Sequence, residues 1–129
     1  MIALLYGEPG WNRWPPIRKV FGVLTSHDTV LYRQSDDLGR MLEYHVKTMP
    51  GGQRPKLDPY QPENVKYTDR RDSQYMLHTR MLAVGNPIAV VLFREGADDG
   101  ATGLGQLVDA THKPIAVYEW DDFVTEMQQ

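Results

Sequence analysis

The sequence contains no cysteine. That excludes a disulfide framework, a thiol nucleophile and a zinc site built on thiolates. Long apolar runs are missing too: the opening "MIALLYGEPG" reaches Gly7 after a handful of apolar residues and has no basic stretch of the kind that starts a secretory leader. A cytoplasmic protein without a membrane partner is expected. Positive charge is in short supply, with 14 Lys and Arg against 17 Asp and Glu and a formal net charge of −3, and no basic block or basic-aromatic stripe occurs. Nucleic acid is therefore not an expected partner. The histidines, His27, His45, His78 and His112, lack the tight spacing of metal ligands, so neither a metal nor a cofactor is expected. Ser26, Ser35 and Ser73 stand outside any Gly-x-Ser-x-Gly turn, which leaves a serine nucleophile without support.

What remains is a chain of 129 residues, 41% of them hydrophobic, without repeats or low-complexity tracts. This suits a single globular domain over 1–129 with a real core. The short apolar run Ile2 to Tyr6 reads as a strand buried on both faces, as in a parallel sheet. "WPPIRKVFGVL" reads as a helix with its prolines in the first turn and Ile17, Val20, Phe21 and Leu24 on one face. Asp28 to Arg33 predicts a second strand, and Asp36 to Met49 a helix facing inward through Leu38, Met41, Leu42 and His45 or Val46. The segment 50–67 is rich in proline and predicts a long loop or insert, with room for a short strand near Arg54 to Leu57. A helix follows over Asp69 to Ala83, with Tyr75, Met76, Thr79 and Leu82 or Ala83 on its inner side and Gly85 as a stop. Ile88 to Phe93 and Pro114 to Tyr118 predict the last strands, with a helix from about Gly103 to Thr111 between them, and 119–129 predicts a closing helix or edge extension.

Strands alternating with helices predict an α/β fold: a Rossmann-like, doubly wound three-layer sandwich on a mostly parallel sheet of about five strands. Ligands of such folds sit beyond the C-terminal strand ends. That rule selects the loops Gly7 to Trp14, Gln34 to Asp37 and Arg94 to Gly105. In the last, "REGADDGATGLG" follows an apolar strand, and backbone N–H groups at a helix start hold anions without any particular side chain. Gly7, Gly96, Gly100 and Thr102 are the candidates for such a cradle, the alternative being glycines in a surface turn. Trp11 offers a ring for stacking a base, or else closes the core with Trp14; Arg13 offers a fork for phosphate, or else is solvated. Asp37 is either a contact for a hydroxyl or an N-cap. Arg80 either reaches the pocket or pairs with Asp69 and Asp72 at the surface, and the acid pairs Asp36-Asp37, Asp98-Asp99 and Asp121-Asp122 read as solvated charge.

The stretch "YMLHTRMLAVGNPIAVVLFREGADDGATGLGQLVDATHKPIAVYEW" resembles the SLOG superfamily, named for the SMF/DprA and LOG-type proteins, and in particular its small YspA-like branch. Arg80, Met81, Gly100, Thr102 and Pro114 stand at or beside the matching positions, and "LLYGEPGWNRWPPIRKVF" is similar to the family's first strand, glycine turn and helix start. The resemblance spans nearly the whole chain. It implies a nucleotide or nucleotide-derived small molecule as ligand, and a tendency to form homodimers or larger homo-oligomers. Two motifs depart from the family. "YRQSDDLGRML" keeps only Asp37 and a displaced Gly39 of the second glycine loop, and Leu104, Gly105 and Gln106 fall where the hydrolytic members carry a glutamate. Binding or sensing is thus expected ahead of hydrolysis of a nucleoside monophosphate, for which Glu8 or Asp99 would have to stand in. The third alternative is a protein-interaction module of a phage or mobile element that has lost the pocket.

Overall fold

The computed structural model describes residues 1–62 and 70–129. The expected helix start at Asp69 and the last residues of the 50–67 segment lie outside that range, as do the side chains of residues 70–73. The elements run in the order β1 (Ile2–Gly7), α1 (Trp14–Val23), β2 (Thr29–Arg33), α2 (Asp37–Thr48), β3 (Lys56–Tyr60), α3 (Arg70–Gly85), β4 (Ala89–Phe93), α4 (Asp99–Thr111), β5 (Ala116–Glu119) and α5 (Trp120–Met127), with a short 3-10 turn at Gly51–Gln53. All strand pairs are parallel and the sheet order is β3-β2-β1-β4-β5. This is a Rossmann-like doubly wound sandwich, and the strand order reverses between β1 and β4.

Each central strand feeds two cores because its side chains alternate across the sheet. From β1, Ala3 and Leu5 join Ile17, Val20, Phe21, Leu38, Leu42 and Phe123 on the face of α1, α2 and α5. Leu4 and Tyr6 point the other way, to Leu77, Met81 and Leu82 of α3 and Ala101, Leu104 and Val108 of α4. Burying a leucine of this kind contributes about 1.5–3 kcal/mol. β1 and β4 are therefore almost wholly apolar.

Three expectations need correction. The proline-rich segment carries a full strand, β3, in register with β2 so that Pro59 lies beside Tyr32. As an edge strand, β3 can hold a proline without losing a central ladder bond. The inner face of α3 is Leu77, His78, Met81 and Leu82, whereas Tyr75 and Met76 are 56% and 49% exposed. Apolar residues stand on both sides of that helix, so spacing alone chooses the wrong stripe. Finally, α4 begins at Asp99, not near Gly103, because Asp98 caps it: its carboxylate accepts from the Ala101 N–H at 2.9 Å. Gly100, Thr102, Gly103 and Gly105 are helical, and the loop after β4 shrinks to residues 94–98.

Two of the glycines in helices have opposite surroundings. A Cβ on Gly39 would lie 2.2 Å from the Arg33 carbonyl oxygen, whereas one on Gly105 would meet nothing within 4 Å. Backbone cannot swing aside as a side chain does, so Gly39→Ala forces α2 off the end of β2. We predict that Gly39→Ala loses about 1–3 kcal/mol and that Gly105→Ala gains about 0.5–1 kcal/mol from helix propensity. Urea unfolding monitored by circular dichroism measures both, and equal responses would contradict the packing described.

Candidate functional site

The reversal of strand order places the ends of β1 and β4 side by side, with Gly7 in register with Phe93. The two loops that leave them are tied together. The Glu8 N–H donates to the Phe93 carbonyl at 2.9 Å, and the Glu95 N–H donates to the Glu8 carboxylate at 3.3 Å. Arg13 pairs with Glu95 across the same gap at 2.9 Å. Both partners are more than half exposed, so the pair sets loop position more than stability. From α2, the Asp37 carboxylate accepts from the Gly10 N–H at 3.0 Å, fastening the β1 loop on its other side.

Two cavities share one wall at Gln74. One, of about 550 Å³, opens between α3 and α4 and is lined by Gln74, His78, Asp99, Gly100, Thr102 and Gly103 among others. The other, of about 480 Å³, lies over the ends of β1 and β2, bounded by Gly7, Glu8, Arg33, Asp36, Asp37 and again Gln74. Both volumes fall in the range of small-molecule sites, about 300–1,000 Å³. A third recess, of about 560 Å³, adjoins Arg94, Gly96, Thr102 and Trp120.

A polar cluster forms the floor. The Tyr6 hydroxyl donates to Asp98, the carboxylate that also caps α4. His78 sets its ring edge against Tyr6, with centroids 5.7 Å apart at 72°. Arg33 reaches Asp36 at 3.2 Å. Two buried atoms in the cluster, His78 Nε2 and Arg33 Nε, have no hydrogen-bond partner among the described residues. A buried polar atom left this way costs about 1–3 kcal/mol, so a site that carries two has a reason to be there.

Burial governs the proton chemistry of the cluster. It pushes the Tyr6 hydroxyl well above its ordinary range, with the bonded Asp98 carboxylate adding to the effect. It pulls the His78 imidazole down to about 3, helped by the positive charge of Arg33. Asp36 is raised by burial, which Arg33 partly offsets and Asp37 reinforces. Tyr6 keeps its proton and His78 stays neutral at physiological pH. The floor is built to hydrogen-bond rather than to exchange protons.

The structure brings some of the sequence candidates together and reassigns others. Gly100 is on the cavity wall, where its missing Cβ admits the Tyr6 hydroxyl; a Cβ there would sit 2.2 Å from that oxygen. Gly7 likewise leaves room for Leu38 of α2. Thr102 reaches both the α3/α4 cavity and the third recess, where Gly96 also lies. Trp11 is 3% exposed and packs edge-on against Phe93, its indole N–H donating to the Arg13 carbonyl at 3.1 Å. Of the two roles weighed for it, closing the core is the one its position allows. Asp37 is neither free nor an N-cap; Asp36 occupies the cap position and Asp37 clamps Gly10. Arg80 turns to the end of β3, over the Tyr60 ring at 5.8 Å and onto the Gln61 carbonyl.

Sequence reasoning passed over Tyr6, Arg33, Gln74, His78 and Asp98. Asp98 is not solvated charge, and an Asp just ahead of "DGATGL" is the N-cap signal that would have found it. His78 was detectable as the polar member of the stripe Leu77, Met81, Leu82 once that stripe is chosen correctly. Comparisons with protein-family models, curated proteins and solved structures gave no match for this chain.

The depressed His78 value makes stability depend on pH. Above about 6.5 the imidazole is neutral in both folded and unfolded chains; below it the unfolded chain binds a proton that the folded one refuses until about 3. Stability is thus lost as pH falls through that window, at up to about 1.4 kcal/mol per unit. We predict that the wild-type protein loses about 2 kcal/mol more than His78→Gln between pH 7 and pH 5, read from urea unfolding. Asp36 acts in the opposite sense, and the comparison of variants cancels it. Identical pH profiles would show that His78 does not titrate on unfolding.

Proposed function

We propose that this protein binds a nucleotide or nucleotide-derived small molecule in the crevice at the C-terminal ends of β1, β2 and β4, in the manner of a SLOG-type recognition or sensing domain. The observation that carries the reading is His78: a side chain 2% exposed, on the wall of the α3/α4 cavity, with its Nε2 unpartnered among the described residues. Its position supports the reading as well, since open α/β sheets bind ligands where strand order reverses. Gln74, which borders both cavities, spans the two halves of one elongated ligand, and a planar base fits between α3 and α4 above Gly100 and Gly103. Hydroxyls of a sugar then fall toward the acceptors of the second cavity, Asp36 and Asp37. Gly7, Gly96, Gly100 and Thr102 shape the walls, Trp11 and Arg13 hold the loop, and Arg80 anchors the β3 end.

Binding to the folded state alone raises the melting temperature. A ligand at about a hundred times its Kd adds about 2.7 kcal/mol, a shift on the order of 10 °C for a domain of this size. We expect at least one member of a panel of nucleosides, nucleotides and dinucleotides to give such a shift by scanning fluorimetry. Gly103→Trp, built where a Cβ meets nothing within 4 Å, should fill the cavity and abolish the shift while the variant stays folded. No shift with any compound, or a full shift in Gly103→Trp, would overturn the proposal.

A further inference from the structure

Carboxylates of the protein already stand at two helix starts of the crevice. At the start of α4 the Asp98 Oδ2 atom accepts from both the Ala101 N–H and the Tyr6 hydroxyl, occupying the place where a phosphate would meet the helix N-terminus. α2 starts with Asp36 at its cap and Asp37 in its first turn, and Asp37 takes the Gly10 N–H as well. α1 starts at Trp14, and the Pro15 and Pro16 that follow have no N–H to offer. Among the described residues, the starts of α2 and α4 thus meet the crevice with carboxylates, whose charge disfavours an added anion, and α1 lacks two of its first N–H groups.

Three of the described arginines near the crevice pair with carboxylates, while the Nε of one of them, Arg33, keeps no partner among the described residues. Arg33 holds Asp36 at 3.2 Å, Arg13 holds Glu95 at 2.9 Å and Arg94 holds Glu119 at 2.6 Å. Against them, Asp37, Asp98, Asp99 and Glu8 add negative charge to the walls among the described residues. The independent mark of a ligand is the buried His78, which lines the same cavity and whose Nε2 has no partner among the described residues. That imidazole is neutral, so it offers a hydrogen bond but no positive charge to balance a phosphate.

We infer that the ligand is an uncharged nucleoside, a base with its ribose and no 5′-phosphate, with His78 Nε2 hydrogen-bonded to the base edge and the Asp36 and Asp37 carboxylates accepting from ribose hydroxyls. This rests on the binding reading above and narrows it to one ligand class. Carboxylates are acceptors only, so they suit a sugar diol and repel a phosphate monoester.

Titration calorimetry of the purified protein with the four ribonucleosides and their 5′-monophosphates tests it. The best-bound nucleoside should exceed its monophosphate by about tenfold or more in affinity. Asp98→Asn keeps a carbonyl oxygen for both hydrogen bonds and drops the charge, and it should narrow that gap severalfold; Asp99→Asn, at an exposed position on the cavity, should do the same should the capping variant fold poorly. A monophosphate that binds as tightly as its nucleoside overturns the inference and leaves the binding reading standing, as does a gap that neither variant changes. Absence of binding by all eight compounds overturns the inference, and a simultaneous lack of any thermal shift across the wider panel overturns the binding reading too.

Discussion

The pairing of β1 with β4 is the constraint on which everything else rests. Those two strands carry the reversal of the sheet, and their registered ends at Gly7 and Phe93 bring together loops that are more than eighty residues apart in sequence. Both strands are buried on two faces, so the pairing is held by apolar area above and below and not by any single contact. Where the helices diverge past that junction, one to each side, the sheet has no cover of its own and a crevice is unavoidable.

Polar chemistry then enters at the one place the apolar layers leave for it. Tyr6 is the last large side chain of β1 on the α3/α4 face, and it meets Asp98, the cap of α4, while His78 of α3 closes against its ring. Three elements thus converge on one tyrosine. Gly100 is what permits that convergence, since any side chain there would strike the Tyr6 oxygen. The unpartnered nitrogen of His78 is the cost of the arrangement, and a ligand that satisfies it recovers that cost on binding.

The fold was legible in the sequence because it is encoded by short apolar runs and helix-spaced apolar faces, and these survive without knowledge of tertiary contacts. Ile2 to Tyr6, Ile17 with Val20 and Phe21, and Val90 to Phe93 are cases where local pattern and final burial agree. β3 was harder to read, since "KLDPY" is an edge strand with partial burial and a proline, and it gains its identity only from β2. The site was less legible still. Glycines advertised a loop, but Asp98 turned three of them into helix, and Trp11 carried the appearance of a binding aromatic while its ring went to the core. The cluster of Tyr6, His78, Arg33 and Asp98 depends on strand order and on which stripe of α3 faces inward, neither of which is written locally.

The central claim is that His78 presents a neutral, unpartnered nitrogen to a ligand in the α3/α4 cavity. Long-range proton–nitrogen NMR of the histidine side chains reads that nitrogen directly. The account predicts a His78 imidazole that remains neutral at pH 5, where solvent-exposed histidines are protonated, and an Nε2 resonance that moves when a stabilising compound is added. An imidazole already protonated at pH 5, or an Nε2 signal that stays in place while that compound is bound, would contradict it.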